Sequence, residues 1–214
     1  MRIALAGATG QTGRRVLDLA LQRGHEVTAL VRRPDALGPA RNGLTVVTTQ
    51  VADDGQGLAE ALDGHETVIS ALGSALFGPE SRNKIMAAAH RNLVTAAGAA
   101  GVSRFTSMFA YGSGDTRAHA PAGIRLLGRT LLRSDFADID QAVRTLQGSS
   151  LRWAIAYFGS LADSGATGRW AVTRELVRPA RYRISRADVA DALLTLSEDA
   201  HEASGSYVLS GAPA

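Results

Sequence analysis

Three glycines spaced three apart, in Gly7-Ala8-Thr9-Gly10-Gln11-Thr12-Gly13, are the first residues of the chain whose type and spacing imply chemistry. In a phosphate-binding turn one glycine permits the tight bend after a strand, one lets backbone approach a pyrophosphate, and one lets the next helix pack close to the sheet. The pyrophosphate then rests on the positive end of a helix that begins near Gln11. Glycines also end strands for purely structural reasons. Here an apolar run, Ile3 to Ala6, leads into the motif and an amphipathic helix leaves it, which is the context a dinucleotide site requires. Thr9 and Thr12 belong to the same turn.

The next strand ends Leu30-Val31-Arg32-Arg33. An acid at that place would accept a bond from a ribose 2′-hydroxyl, whereas arginine suits a 2′-phosphate. Asp35 follows Pro34 and reads as the start of the next turn. Arg32 and Arg33 therefore predict NADPH rather than NADH, the alternative being a solvated basic pair. Histidines at positions 25, 65, 90, 119 and 201 are scattered without metal-ligand spacing, so no metal is expected. His119, in GDTRAHAPAG, is open to two roles: a lid residue that donates a proton, or a solvated loop histidine. Asp135, Asp138 and Asp140 read as a helix N-terminus with a solvated acidic face.

The elements that must position these residues alternate. Short apolar runs are expected as strands at Arg2 to Ala6, Glu26 to Val31, Leu44 to Thr49, Thr67 to Leu72, Arg104 to Phe109 and Leu151 to Tyr157. Helical patterns fall between them at about 11–23, 57–63, 80–100, 122–148 with a break near Ser134, and 186–198. Such alternation predicts an α/β, doubly wound fold: a mostly parallel sheet with helices on both faces. Later, Gly159 to Gly168 reads as a loop, Arg169 to Thr173 and Tyr182 to Ile184 as short strands, and Ser206 to Leu209 as a closing edge strand. Ser185 with Asp188 forms the start of the last helix.

The composition narrows the function. The chain has 214 residues, 45% hydrophobic and 20% charged, and one core is expected over 1–214. No apolar run approaches the roughly eighteen residues that span a membrane, so no membrane contact and a cytoplasmic location are expected. Without cysteine there is no thiolate ligand and no thiol nucleophile. The basic residues are dispersed, which argues against a nucleic-acid partner. Of 23 Lys and Arg residues only Lys84 is lysine, so any step that needs a lysine must use it.

GATGQTG at 7–13, VRRP at 31–34, ISALGS at 69–74, TSMF at 106–109 and YRISRADVADALL at 182–194 together resemble the atypical short-chain dehydrogenases with an NAD(P)H-binding Rossmann domain, and within them the biliverdin reductase B or flavin reductase branch. The resemblance covers nearly the whole chain. It implies a monomer or homodimer, and cofactor contacts from Gly7, Thr9, Gly10, Gln11, Thr12, Gly13, Arg32, Arg33, Gln50, Val51, Ala71, Leu72, Gly73, Thr106, Tyr157 and Phe158. It points to Ser107 as the residue beside nicotinamide and substrate, where the hydroxyl either orients the acceptor or merely satisfies backbone at a strand end. Phe109, Tyr111 and His119 are the expected substrate contacts, in a pocket formed by segments around 74–80, 107–135 and 157–183. The chain departs from the branch at Gln50, at Ala156-Tyr157-Phe158 and at Ile139, which falls near the branch's histidine.

Classical members of that superfamily protonate a carbonyl oxygen with a tyrosine whose pKa a lysine four residues on lowers. The tyrosines here, at 111, 157, 182 and 207, are followed at that spacing by Asp115, Leu161, Arg186 and Gly211. A Tyr-x-x-x-Lys mechanism is disfavoured. A small aromatic or conjugated acceptor such as a flavin or quinone needs less help, because stacking against nicotinamide supplies most of what hydride transfer requires. The expected activity is an NADPH-dependent reductase of such a molecule, with a secondary-metabolite intermediate as one candidate. A dinucleotide-sensing regulator and a non-redox isomerase or cyclase are the alternatives.

Overall fold

Alternating apolar strands of this kind bury both faces, and helices must cover each side. The computed structural model describes residues 1–53, 55, 57–73, 84–199 and 203–211. Its elements are β1 Arg2–Ala6, α1 Gln11–Gln22, β2 Glu26–Val31, β3 Leu44–Thr48, α2 Leu58–Ala61, β4 Thr67–Ser70, α3 Met86–Ala99, β5 Arg104–Ala110, α4 Ala122–Arg129, α5 Arg133–Gln147, β6 Arg152–Phe158, β7 Ser160–Ala162, β8 Trp170–Thr173, β9 Arg183–Ser185, α6 Arg186–Glu198 and β10 Gly205–Gly211.

One eight-stranded sheet has the order β3-β2-β1-β4-β5-β6-β10-β8, and β7 pairs with β9 beside it. Its neighbours run parallel except β10 with β8. The order reverses between β1 and β4, and in open α/β sheets that switch point, at the carboxyl ends of the strands, is where ligands lie. Gly7 follows β1 there and Ala71 follows β4.

Strand alternation divides the core in two. Ala4, Val68, Phe105, Ile155 and Tyr157 join Leu93 of α3 and Val143 of α5 on one face. Ile3, Leu5, Met108 and Ala156 join Val16 of α1 and Leu193 of α6 on the other. The same alternation on β5 sends Thr106 to Ser197 of α6 and Ser107 to His90 of α3.

Three expectations shift. The long helical segment breaks at 130–132, before Ser134, into α4 and α5. Gly128 lets the two helices lie against each other, since a Cβ on it would stand 2.6 Å from the Phe136 ring. The expected loop at 159–168 contains β7, whose partner is β9. Gly159 permits that pairing, since a Cβ would stand 2.1 Å from the Tyr182 carbonyl. Residues 80–83 of the expected third helix lie outside the described residues, and the helix is seen from Met86.

Candidate functional site

The turn between β1 and α1 closes through Gly10 N–H to the Gly7 carbonyl at 3.0 Å. Gly7 has φ +86°, and a Cβ on it would stand 2.8 Å from the Ala71 backbone. A Cβ on Gly13 would come within 2.0 Å of the Gly7 carbonyl. Both positions demand glycine, and the result is close contact between turn, helix and β4. Gly10, the N-cap of α1, makes no side-chain cap. The first-turn amides and the helix dipole are therefore left for an external anion. This cradle fits a dinucleotide's pyrophosphate.

A cleft of about 760 Å³ begins at this turn. Gly10, Gln11, Thr12, Ala71, Leu72 and Gly73 line one part, and Met86, Met108, Phe109, Ala110, Ile139, Phe158, Gly159, Ser160, Leu161, Tyr182 and Arg186 the remainder. Seven expected contacts meet here: Gly10, Gln11, Thr12, Ala71, Leu72, Gly73 and Phe158, joined by Phe109 from the substrate set. The segment around 74–80, also expected at the pocket, lies outside the described residues, as does His201.

Arg32 and Arg33 are exposed just past β2. Arg14 links their neighbourhood to the glycine turn, donating from Nε to the Thr9 carbonyl and from Nη2 to the Ala36 carbonyl at 3.2 and 2.6 Å. Gln50 is exposed, whereas Val51 points into the core and its carbonyl accepts from Asn92.

Ser107 is the chief surprise. Its hydroxyl is fully buried, 2.8 Å from His90 Nε2, while His90 Nδ1 lies 2.8 Å from the Met86 carbonyl. A carbonyl only accepts, so Nδ1 carries the proton and Nε2 accepts from Ser107. Complete burial holds the His90 pKa down at about 4, with the Met86 bond and Asp138 opposing it weakly. Ser70, opposite Ser107 in register, has a buried hydroxyl without a hydrogen-bond partner among the described residues. His90 was indistinguishable in sequence from the other scattered histidines; its only signal was a lone imidazole in an alanine-rich helix.

Several expected contacts face elsewhere. Tyr157 was expected at the cofactor, yet it is fully buried on the α5 side of β6 and its hydroxyl accepts from Asp115 N–H at 3.1 Å. One-residue alternation gives the cleft Phe158 instead. Thr106 faces α6. Tyr111 is buried and donates to the carbonyls of His119 and Leu176, and His119 is exposed and does not line the cleft. Burial raises the pKa values of Tyr157, Tyr111 and Tyr182, with the charge of Asp115 adding to Tyr157, so these phenols stay protonated.

The aspartates of α5 are not a solvated face. Asp138 accepts from the amides of Met86 and Ala87 at 2.9 and 3.1 Å and so caps α3 from a different helix. Asp135 pairs with Lys84 at 2.5 Å, and Asp140 holds Arg117 and the Gly114 amide. No group of residues that could hold a metal occurs among the described residues, and no described helix is long and apolar enough to cross a membrane. Met86 and Arg186 lie outside the segments expected to form the pocket, while Met108, Leu161 and Tyr182 fall within them without having been singled out. Tyr182 and Arg186 did stand within the quoted YRISR, whereas the two methionines carried no polar signal at all.

Comparisons with known proteins agree with this architecture. A family model described as NAD(P)H-binding matches residues 7–200. ChuY, an anaerobillin reductase from Escherichia coli O157:H7, is 27% identical, with all of both chains covered and a TM-score of 0.81. The oxidoreductase ylbE from Lactococcus lactis superposes with a TM-score of 0.82 over 99% of this chain and 91% of its own, at 23% identity. A 3-beta-hydroxysteroid dehydrogenase from Mycolicibacterium neoaurum is 33% identical over 113 residues, which is 49% of this chain and only 30% of that enzyme. With the family model spanning residues 7–200 of the 214, the chain belongs to the NAD(P)H-binding family.

Proposed function

We propose that the protein is an NADPH-dependent reductase of a conjugated acceptor, a flavin, quinone or related aromatic molecule, of the kind that biliverdin reductase B represents. The observation that carries this reading is the cleft itself: it runs from the glycine turn to a wall of Met86, Met108, Phe109, Ile139, Phe158 and Leu161. Bound NADPH supplies the hydride. The chain's share is to hold the two rings together and keep water out, which is most of what a delocalised, electron-poor acceptor needs. ChuY, named as an anaerobillin reductase and similar over its full length, supports reductase chemistry.

Raised pKa values on Tyr111, Tyr157 and Tyr182 oppose a phenol acid, and Lys84 is engaged by Asp135. The proton comes from water, since Ser107 is fully buried on His90 and does not line the cleft. Arg32 and Arg33 favour the phosphorylated dinucleotide. The whole chain reads as one dinucleotide-binding domain, with a monomer or homodimer as the working unit in the cytoplasm. A second reading, a dinucleotide sensor, is favoured by the way His90 ties up the Ser107 proton.

The test follows NADPH absorbance with FMN, riboflavin, quinones, enones and anaerobillin. Turnover with one of them, lowered by Phe158→Arg in the cleft wall, supports the reductase. Tight NADPH binding without turnover across the panel overturns it in favour of the sensor.

A further inference from the structure

Arg186 is the first residue of α6, immediately after its capping Ser185. A cation there faces the positive end of the helix, where the dipole favours an acid. Asp188, two residues on, is fully occupied: its carboxylate accepts from the Thr167 amide and hydroxyl and from the Gly168 amide. Arg186 instead holds Asp163, Nη1 to Oδ1 at 2.9 Å, with side-chain exposures of 18% and 60%. The same carboxylate oxygen stands 3.5 Å from Arg15 Nη2, and Arg15 Nη1 donates to the Gln11 carbonyl. Gln11 and Arg186 both line the cleft. Two guanidinium groups and one carboxylate are thereby gathered beside the uncapped N-terminus of α1, and the cluster keeps a positive charge.

We propose that Arg186 is a ligand of the dinucleotide's pyrophosphate and that Asp163 is the partner it gives up on binding. The inference rests on the reading that the dinucleotide occupies the glycine-lined cleft. Asp163 is the cheap side of the exchange, because an exposed carboxylate regains water and an exposed ion pair contributes little. The pyrophosphate is the strong side: it offers two charges and several acceptor oxygens to a guanidinium that is mostly shielded from solvent. Asp163 then competes with the ligand, so its removal must strengthen binding.

The experiment titrates NADPH by its fluorescence and ADP by competition, at fixed ionic strength, with urea midpoints measured on every variant. Arg186→Gln is expected to weaken both ligands on the order of tenfold, the worth of one charge-assisted contact. Arg186→Lys should recover part of that loss. Asp163→Asn should tighten both, by about threefold. The urea midpoint of Arg186→Gln should not fall, since the cation is misplaced for helix stability. Weaker binding in Asp163→Asn, unchanged ADP affinity in Arg186→Gln, or a binding loss matched by a lower urea midpoint overturns the proposal. Gly10→Asp tests the underlying reading separately. Gly10 has φ −74°, which an aspartate adopts freely, and the new carboxylate would occupy the anion's place. If Gly10→Asp binds NADPH normally, the dinucleotide lies elsewhere; if it fails to bind while Arg186→Gln is normal, only the exchange is wrong.

Discussion

His90 Nε2 and Ser107 Oγ lie 2.8 Å apart with both side chains fully buried, and the hydrogen bond runs from serine to histidine. The direction follows from Nδ1, whose proton is committed to the Met86 carbonyl. Met86 itself lines the cleft, so one imidazole joins the start of α3, the carboxyl end of β5 and the candidate site. Ser107 at rest presents lone pairs rather than a proton to any neighbour other than His90.

This arrangement predicts acid sensitivity. The folded-state pKa of His90, about 4, lies below its value of 6.5 in the unfolded chain. Above pH 6.5 both states are neutral and the contribution is intact; between 6.5 and 4 the unfolded chain takes a proton that the folded one refuses, and stability falls. The loss approaches about 3 kcal/mol for this group alone. Urea unfolding at pH 7 and pH 4.5 should show a steeper fall in the wild type than in His90→Gln. Equal slopes would mean that His90 is protonated in the fold.

Asp138 should matter more than a surface acid. Asp138→Ala removes a buried carboxylate from two amides at the start of α3 and is expected to cost about 2–3 kcal/mol. Asp138→Asn, which keeps one acceptor, should cost less. Thermal melts of the two variants decide the order, and a neutral Asp138→Ala would contradict the cap.

Gly13 and Gly10 should respond differently to alanine. The added methyl meets the Gly7 carbonyl at 2.0 Å in the first case and 3.3 Å in the second. Gly13→Ala must push α1 away from the turn, and NADPH affinity should fall at least about tenfold. Gly10→Ala should leave the turn and the urea midpoint intact, yet its methyl stands where backbone approaches the pyrophosphate, so NADPH affinity should fall there without loss of stability. Fluorescence titration of NADPH reads both.

For Arg32 and Arg33 the expected outcome is loss of discrimination. The double variant Arg32→Ala with Arg33→Ala should weaken NADPH about tenfold or more and leave NADH nearly unchanged. A preference that survives in the ratio of dissociation constants would place the 2′-phosphate elsewhere, with Arg14 as the next cation to examine.

Tyr157→Phe separates a core residue from a cofactor contact. Its hydroxyl accepts from Asp115 N–H beneath Gly114. Removing it should lower stability by about 1 kcal/mol and leave the NADPH dissociation constant as it was. A large change in affinity would restore the tyrosine to the cleft.

Much of the fold was legible because its signals are local. GATGQTG between a strand and a helix, and the alternation of apolar runs with helical patterns, depend on backbone conformation and side-chain periodicity within a few residues of one another. The strand positions of β1 and β2 and the span of α6 match the expectations for that reason. What could not be read is which face each residue serves. Tyr157 and Phe158 are adjacent and both aromatic, and only the pleat of β6 sends one to α5 and the other to the cleft. His90 became a partner of Ser107, and Asp138 a cap for α3, through packing across 17 and 52 residues of chain. The sequence by itself determined the cofactor class and the layer order, because glycine sterics and hydrophobic period act locally. Only the tertiary structure decided which polar groups meet, because buried hydrogen bonds between separate elements are selected by the geometry of the packed core.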